Sequence, residues 1–197
     1  MLAKGKSDVT MNSMEGETLA QRLGMTVPVS PLLKKAERMG FDTPEKIEDL
    51  ARERGLQYYS DPVWEVNEEG GGYVAGESLS NEEIAICLLS VALPYSQQRI
   101  RMGGAMLAAS GNDPALLARL AIGERCERVV HYIASLGLKV EPQNPFWDGL
   151  LRLLPEFEPP RPDLLPHITR FVAMTGVTRN GRETVMQWIR PRSAKVE

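Results

Sequence analysis

The chain has 197 residues and a formal net charge of −3, and 43% of its residues are hydrophobic. This length and composition predict an ordinary water-soluble globular protein with one sizeable core. No apolar run approaches the roughly 18 residues that a membrane-spanning helix needs, and the two cysteines are too few for a disulfide framework. We therefore expect a cytoplasmic protein with no membrane partner.

Charge is distributed unevenly along the chain. Residues 37–83 contain 13 acidic and four basic side chains, a net charge of −9. Residues 161–197 contain seven basic and three acidic side chains, a net charge of +4. The two segments could bind a partner, face each other within the fold, or simply be solvated.

The first elements in the chain follow a polar tail. Residues 1–15 have no apolar period, which is typical of a mobile segment. Two short helices are then predicted at 31–39 and 44–54, because each begins with a hydroxyl residue followed by proline. Glycines at positions 40 and 55 can end these helices in the left-handed conformation.

A β-hairpin is predicted over residues 63–75. Two short β-type runs lie on either side of Glu68, Glu69 and three consecutive glycines, which can reverse the chain. The same glycines could form a phosphate-binding loop. However, no Lys-Ser or Lys-Thr pair comes after them, and the two glutamates would repel phosphate.

Residues 80–137 are predicted to form the central helical body. Ser80 and Glu83 have the spacing of a capping box, and the helix after them is apolar on every side. A second helix comes next, and a long third segment covers 114–136. The apolar face of this third segment shifts at Gly123, so we expect a kink or a break there.

The C-terminal part contains the strongest local signal. Asn180-Gly181 between two strand-like runs favours a two-residue type I′ turn and an antiparallel hairpin over 171–190. That turn sets a register. The predicted pairs are Arg179 with Arg182, Val177 with Thr184, Ala173 with Trp188 and Val172 with Ile189.

The predicted fold is α+β and mainly helical, with the central body flanked by antiparallel hairpins at about 63–75 and 171–190. We divide the chain into a tail (1–15), a helical domain with a small hairpin (16–160) and a C-terminal hairpin segment (161–197). A segment of about 35 residues does not easily fold alone, so we expect it to dock on the same domain. Whether the two hairpins share one sheet stays open.

Few residues of this chain could carry catalysis. Cys126 and His131 lie about 140° apart around a helix, so they cannot form a nucleophile–base pair within it. Cys87 could meet His131 or His167 only through a tertiary contact. Cysteines on apolar helices usually act as small hydrophobic residues.

Glu124, Glu127 and His131 fall on one face of the third helical segment, with spacings of three and four, and could ligate a metal or act as acid and base. A dimetal site needs Glu-x-x-His, but Val130 stands three residues after Glu127. The alternative is a solvated face, with Arg128 balancing the glutamates. We predict no metal, no cofactor and no catalytic residue.

Two segments are candidates for nucleic-acid binding. Helices 31–39 and 44–54 suggest a helix-turn-helix, but the residues after position 55 do not start a recognition helix, and the segment is acidic. The basic hairpin is the better candidate. Its candidate contacts with a partner or nucleic acid are Arg179, Arg182, Arg190 and Arg192. Alternatively, this is a charged hairpin tip that faces water.

The sequence favours a non-enzymatic regulatory or adaptor protein that acts through protein–protein contacts, with itself or with another protein. This interpretation depends on the missing catalytic constellation, the opposed charged segments, and the Met and Trp side chains that could supply apolar surface. The first alternative is a nucleic-acid-binding protein that uses the basic C-terminal ribbon. The second is an enzyme with a tertiary site near Glu127 and His131.

Overall fold

The computed structural model describes residues 16–56, 78–175 and 185–192. These residues form eight α-helices, one 3-10 turn and a two-stranded antiparallel sheet, so the mainly helical α+β class is confirmed. The elements are α1 (Leu19–Arg22), α2 (Pro31–Arg38), α3 (Pro44–Glu53), α4 (Asn81–Leu88), α5 (Gln97–Leu107), α6 (Pro114–Gly123), α7 (Glu127–Val140), α8 (Pro145–Leu153), the 3-10 turn (Ile168–Arg170), β1 (Val172–Thr175) and β2 (Val185–Trp188). The predicted tail (1–15) and the predicted hairpin at 63–75 lie outside the described residues.

The helix starts follow the local capping signals. The Ser30 hydroxyl accepts a hydrogen bond from the backbone N–H of Leu33 at 3.0 Å, and the Thr43 hydroxyl caps α3 in the same way. Both bonds of the predicted capping box at Ser80 and Glu83 are present. These caps satisfy N–H groups that have no partner inside the helix, which explains why short sequence signals locate the helix starts.

The predicted break near Gly123 is present. Helix α6 ends at Gly123, and α7 begins at Glu127. Between them Arg125 adopts a left-handed backbone conformation with φ of 57°, which turns the chain and separates the two helical axes.

The core is centred on α4, which contacts α2, α3, α5 and α6. Its residues from Ile84 to Leu88 are all at most 1% exposed, as expected for a helix that is apolar on every side. Among the described residues no helix is both long enough and apolar enough to cross a membrane.

An aromatic cluster joins the strands to the helices. The Trp188 ring of β2 stacks on Phe171 with a centroid distance of 5.4 Å, and it meets the Trp147 ring of α8 edge-on at 5.0 Å. The Trp188 indole N–H also donates to the Gly104 carbonyl of α5 at 3.1 Å. The described end of the C-terminal segment is therefore packed against the helical body.

The register of the two strands differs from the prediction by one residue. Val172 lies opposite Trp188 and Ala173 lies opposite Gln187, so the predicted pairs Ala173–Trp188 and Val172–Ile189 are wrong. The observed register places Val172 and Trp188, both buried, on the same face of the sheet. Nine residues connect Thr175 to Val185, and this odd number does not match a symmetric two-residue loop. The predicted pairs Arg179–Arg182 and Val177–Thr184, and the Asn180-Gly181 turn itself, lie outside the described residues.

Candidate functional site

Arg190, one of the predicted partner contacts, is bound inside the protein. Its Nε donates to the Ala108 carbonyl at 3.1 Å, and its Nη1 donates to Glu141 Oε1 at 2.6 Å. Its Nη2 donates to the other oxygen of the Glu141 carboxylate. All three guanidinium nitrogens therefore donate to acceptors of the fold, which gives Arg190 a structural role.

Glu141 accepts hydrogen bonds from several side chains around Arg190. It also accepts hydrogen bonds from the Trp147 indole and the Asn144 amide, both at 2.9 Å. Burial alone would raise the pKa of Glu141, but the bonds from Arg190, Asn144 and Trp147 outweigh it and lower the pKa to about 2. The carboxylate is thus ionised at neutral pH and holds β2 against α7 and α8.

Among the remaining arginines of the predicted basic ribbon, the structure describes Arg192. Arg192 has an exposed side chain, and its backbone N–H donates to the Gly55 carbonyl at 2.9 Å. Gly55 lies just after α3, so the basic C-terminal segment here contacts the acidic 37–83 segment. Arg179 and Arg182 lie outside the described residues.

Glu124 is separated from the helix that carries Glu127 and His131. The Glu124 carboxylate is buried at the start of α2, where it accepts from the Leu32 backbone N–H at 2.8 Å and from the Ser30 hydroxyl. Glu127 is the first residue of α7 and is half-buried. The break after Gly123 leaves Glu124 outside α7, whereas Glu127 and His131 stay four residues apart within it.

His131 faces a different part of the molecule from Glu124. Its ring meets the Phe157 ring edge-on at 5.7 Å, and burial lowers the pKa of His131 while Glu156 partly opposes this change. His167 caps the 3-10 turn with its ring nitrogen near Thr169. Within the described ranges, no group of three or more His, Cys, Asp or Glu side chains could hold a metal ion.

The two cysteines are buried free thiols. Burial raises the pKa of Cys87 to about 12, and it raises the pKa of Cys126 further. Since the thiolate is the nucleophilic form, burial and the raised pKa both disfavour reaction of these side chains in the folded protein.

The candidate site that the sequence did not reveal is a surface groove of about 350 Å³ between α2, α3 and the turn after α4. We call it the α2 groove. Apolar side chains from all three elements line it: Val29, Leu33, Phe41, Ile47 and Leu93. Charged side chains at its edge are Lys34, Glu37 and Asp42.

Helix α2 has one face towards the core and one towards the groove, because an α-helix completes a turn every 3.6 residues. Leu32 and Ala36 point into the core and are 6% and 0% exposed. Ser30, Leu33, Lys34 and Glu37 are spaced by three or four residues and line the groove. Leu33 looks like a core residue in the sequence, but it is only half-buried and forms part of the groove wall.

The walls of the α2 groove are fixed by interactions with the body. Glu124 holds the start of α2 through Ser30 and Leu32, and Lys35 Nζ lies 2.7 Å from a carboxylate oxygen of Glu83 in α4. A buried ion pair, with Arg99 Nε 3.2 Å from Glu48, connects α5 to α3. The groove is therefore formed before any partner binds.

The exposed apolar surface beside the groove comes from valine and not from tryptophan. Val29 is 72% exposed and Val27 is 47% exposed, in the extended segment before α2. Trp147 and Trp188 are at most 2% exposed, so the expectation that they supply contact surface is wrong. Trp64 lies outside the described residues.

Comparison with protein-family models, curated proteins and solved structures found no match to this chain.

Proposed function

We propose that the protein is a non-enzymatic regulatory or adaptor protein that binds a segment of a protein partner in the α2 groove. The observation that carries this proposal is a preformed apolar groove of about 350 Å³ with a strongly exposed valine at its edge. Exposed apolar surface next to a concave site with charged edges is typical of protein interaction sites. The volume suits a few apolar side chains of a partner.

The groove chemistry favours binding over catalysis. Among the described residues that line it there is no histidine or cysteine, and the hydroxyl of Ser30 is engaged by Glu124 and by the N–H of Leu33. The mixed charges of Lys34, Glu37 and Asp42 favour a partner with both charge signs. A polyanion such as nucleic acid needs a positive surface instead.

The experiment places a photoreactive amino acid at position 29 of the tagged full-length chain and identifies the protein that it cross-links. Binding of that purified partner is then measured by calorimetry. We expect Val29→Asp to weaken binding at least about tenfold, because it places a charge in an apolar contact. Leu153→Asp is the matched control, since Leu153 is 47% exposed on α8, outside the groove.

Two results would contradict the proposal. One is a cross-linked partner whose affinity is the same for Val29→Asp and for the wild type. The other is binding of nucleic acid that weakens with salt and is lost in Arg179→Ala/Arg182→Ala, because this would support the basic-ribbon alternative.

A further inference from the structure

The α2 groove lies on the same surface as Val29, an exposed side chain that could fill the same groove of another copy. Val29 is 72% exposed and lies just before the start of α2, while Asp42, Thr43 and Pro44 line the groove beyond the end of this helix. A two-fold symmetric interface needs this arrangement, because each copy must offer both the inserted side chain and its receptor.

The charges of α2 are also self-complementary. Lys34 and Glu37 are both exposed and lie three residues apart on the groove side of α2. If two copies of α2 pack antiparallel across a two-fold axis between these residues, Lys34 of each copy faces Glu37 of the other. The same antiparallel arrangement places Val29, just before the start of α2 in one copy, at the end of α2 in the other copy, where Asp42 lines the groove.

Resting on the proposed function, we propose that the partner segment is the same surface of a second copy of this chain. The α2 helices pack antiparallel, and Val29 of each copy fills the groove of the other. The two Lys34–Glu37 pairs set the register of the interface. The groove is thus a self-association site.

The size of the surface determines how tight this dimer can be. Twelve residues line the groove, whereas a standard stable interface uses about 20–30 residues from each partner. We therefore expect a weak dimer, with a dissociation constant on the order of 10–100 µM. Dissociation on dilution would let the same groove bind another protein.

Sedimentation equilibrium of the full chain over a range of concentrations around that dissociation constant tests the proposal. We expect a concentration-dependent monomer–dimer equilibrium that Val29→Asp weakens at least about tenfold. Leu153→Asp should leave it unchanged. Circular dichroism melting of each variant confirms that it is folded, as expected for substitutions at exposed positions.

A charge exchange tests the register. Lys34→Glu places glutamates at both positions in each copy, and Glu37→Lys places lysines at both, so each variant alone should dimerise about threefold to tenfold more weakly. An equimolar mixture of the two variants restores both opposite-charge pairs. We therefore expect the mixture to dimerise as a heterodimer at close to the wild-type affinity.

Three results would overturn this inference. The first is a chain that is monomeric at every concentration, and the second is a dimer that Leu153→Asp disrupts and Val29→Asp does not. The third is a mixture of the charge variants that stays monomeric. If the chain is monomeric but position 29 cross-links to a different protein whose binding Val29→Asp weakens, only the self-association is wrong and the proposed function stands.

Discussion

Replacing Gly137 with alanine tests how closely α7 packs against the aromatic cluster. Gly137 is buried in α7, and a Cβ atom at this position would overlap ring carbons of Trp147. Trp147 is 0% exposed and is held between the rings of Phe146 and Trp188, each with a centroid distance of 5.0 Å. The indole therefore cannot move aside without disturbing its neighbours.

The expected magnitude combines two opposed effects. Alanine is favoured over glycine in a helix by about 1 kcal/mol, but inserting a methyl group into a close-packed site costs about 1–3 kcal/mol and occasionally more. Here the overlap is with a rigid buried ring, so we expect a loss of about 1–3 kcal/mol in the free energy of unfolding. Gly149→Ala is the matched control. No atom lies within 4 Å of its added Cβ, and α8 should gain up to about 1 kcal/mol.

Urea unfolding followed by tryptophan fluorescence and by far-ultraviolet circular dichroism measures both variants. The prediction is an ordering in which Gly149→Ala is the most stable, the wild type is intermediate and Gly137→Ala is the least stable. A Gly137→Ala protein as stable as the wild type would refute the packing argument, because helix propensity would then be the dominant effect.

Three further predictions concern polar and reactive groups. Because the pKa of Glu141 is lowered to about 2 in the folded state, its contribution to stability is complete above its ordinary pKa and is lost as the pH falls towards 2. Glu141→Gln should therefore have a free energy of unfolding that depends less on pH between about 5 and 2 than that of the wild type, measured by urea unfolding at several pH values. Ser30→Ala removes the cap of α2 and a donor to buried Glu124, so we expect it to lose about 1–3 kcal/mol in urea unfolding, whereas Thr43→Ala at the more exposed start of α3 should lose less. Cys87 should react with a thiol reagent only when the protein unfolds, because burial raises its pKa to about 12; rapid labelling of the native protein would contradict this.

The helix starts could be predicted because they depend on residues that are close in sequence. Ser30 caps an N–H three residues away, and Ser80 and Glu83 cap each other across the same spacing. The break after Gly123 could also be predicted, since the apolar pattern of the chain itself changes there.

The strand register could not be predicted from the turn signal alone. Trp188 is placed by Phe171, by Trp147 and by the Gly104 carbonyl, and two of these lie more than 40 residues away in sequence. A shift of one residue changes which face each side chain occupies, so burial of this ring together with Val172 favours the observed register.

The roles of charged residues depended on tertiary partners in the same way. Arg190 is equally compatible in the sequence with a phosphate contact and with an ion pair, and its bond to Glu141, 49 residues away, is a tertiary contact that no local pattern indicates. The α2 groove could not be predicted from the sequence for a related reason. Its walls come from α2, α3 and the turn after α4, and no single segment carries a pattern that indicates a groove.

The acidic segment 37–83 is a weaker argument for partner binding than its net charge suggests. Glu48 pairs with Arg99, Glu83 pairs with Lys35, and Glu82 accepts a hydrogen bond from the backbone N–H of Asp113 at 3.0 Å. These carboxylates connect helices within the body, so a uniformly basic partner would not find them available. Glu37 and Lys34 differ because both are exposed beside an apolar groove. Recognition at this surface should therefore depend on apolar fit together with a few paired charges, and only modestly on salt concentration.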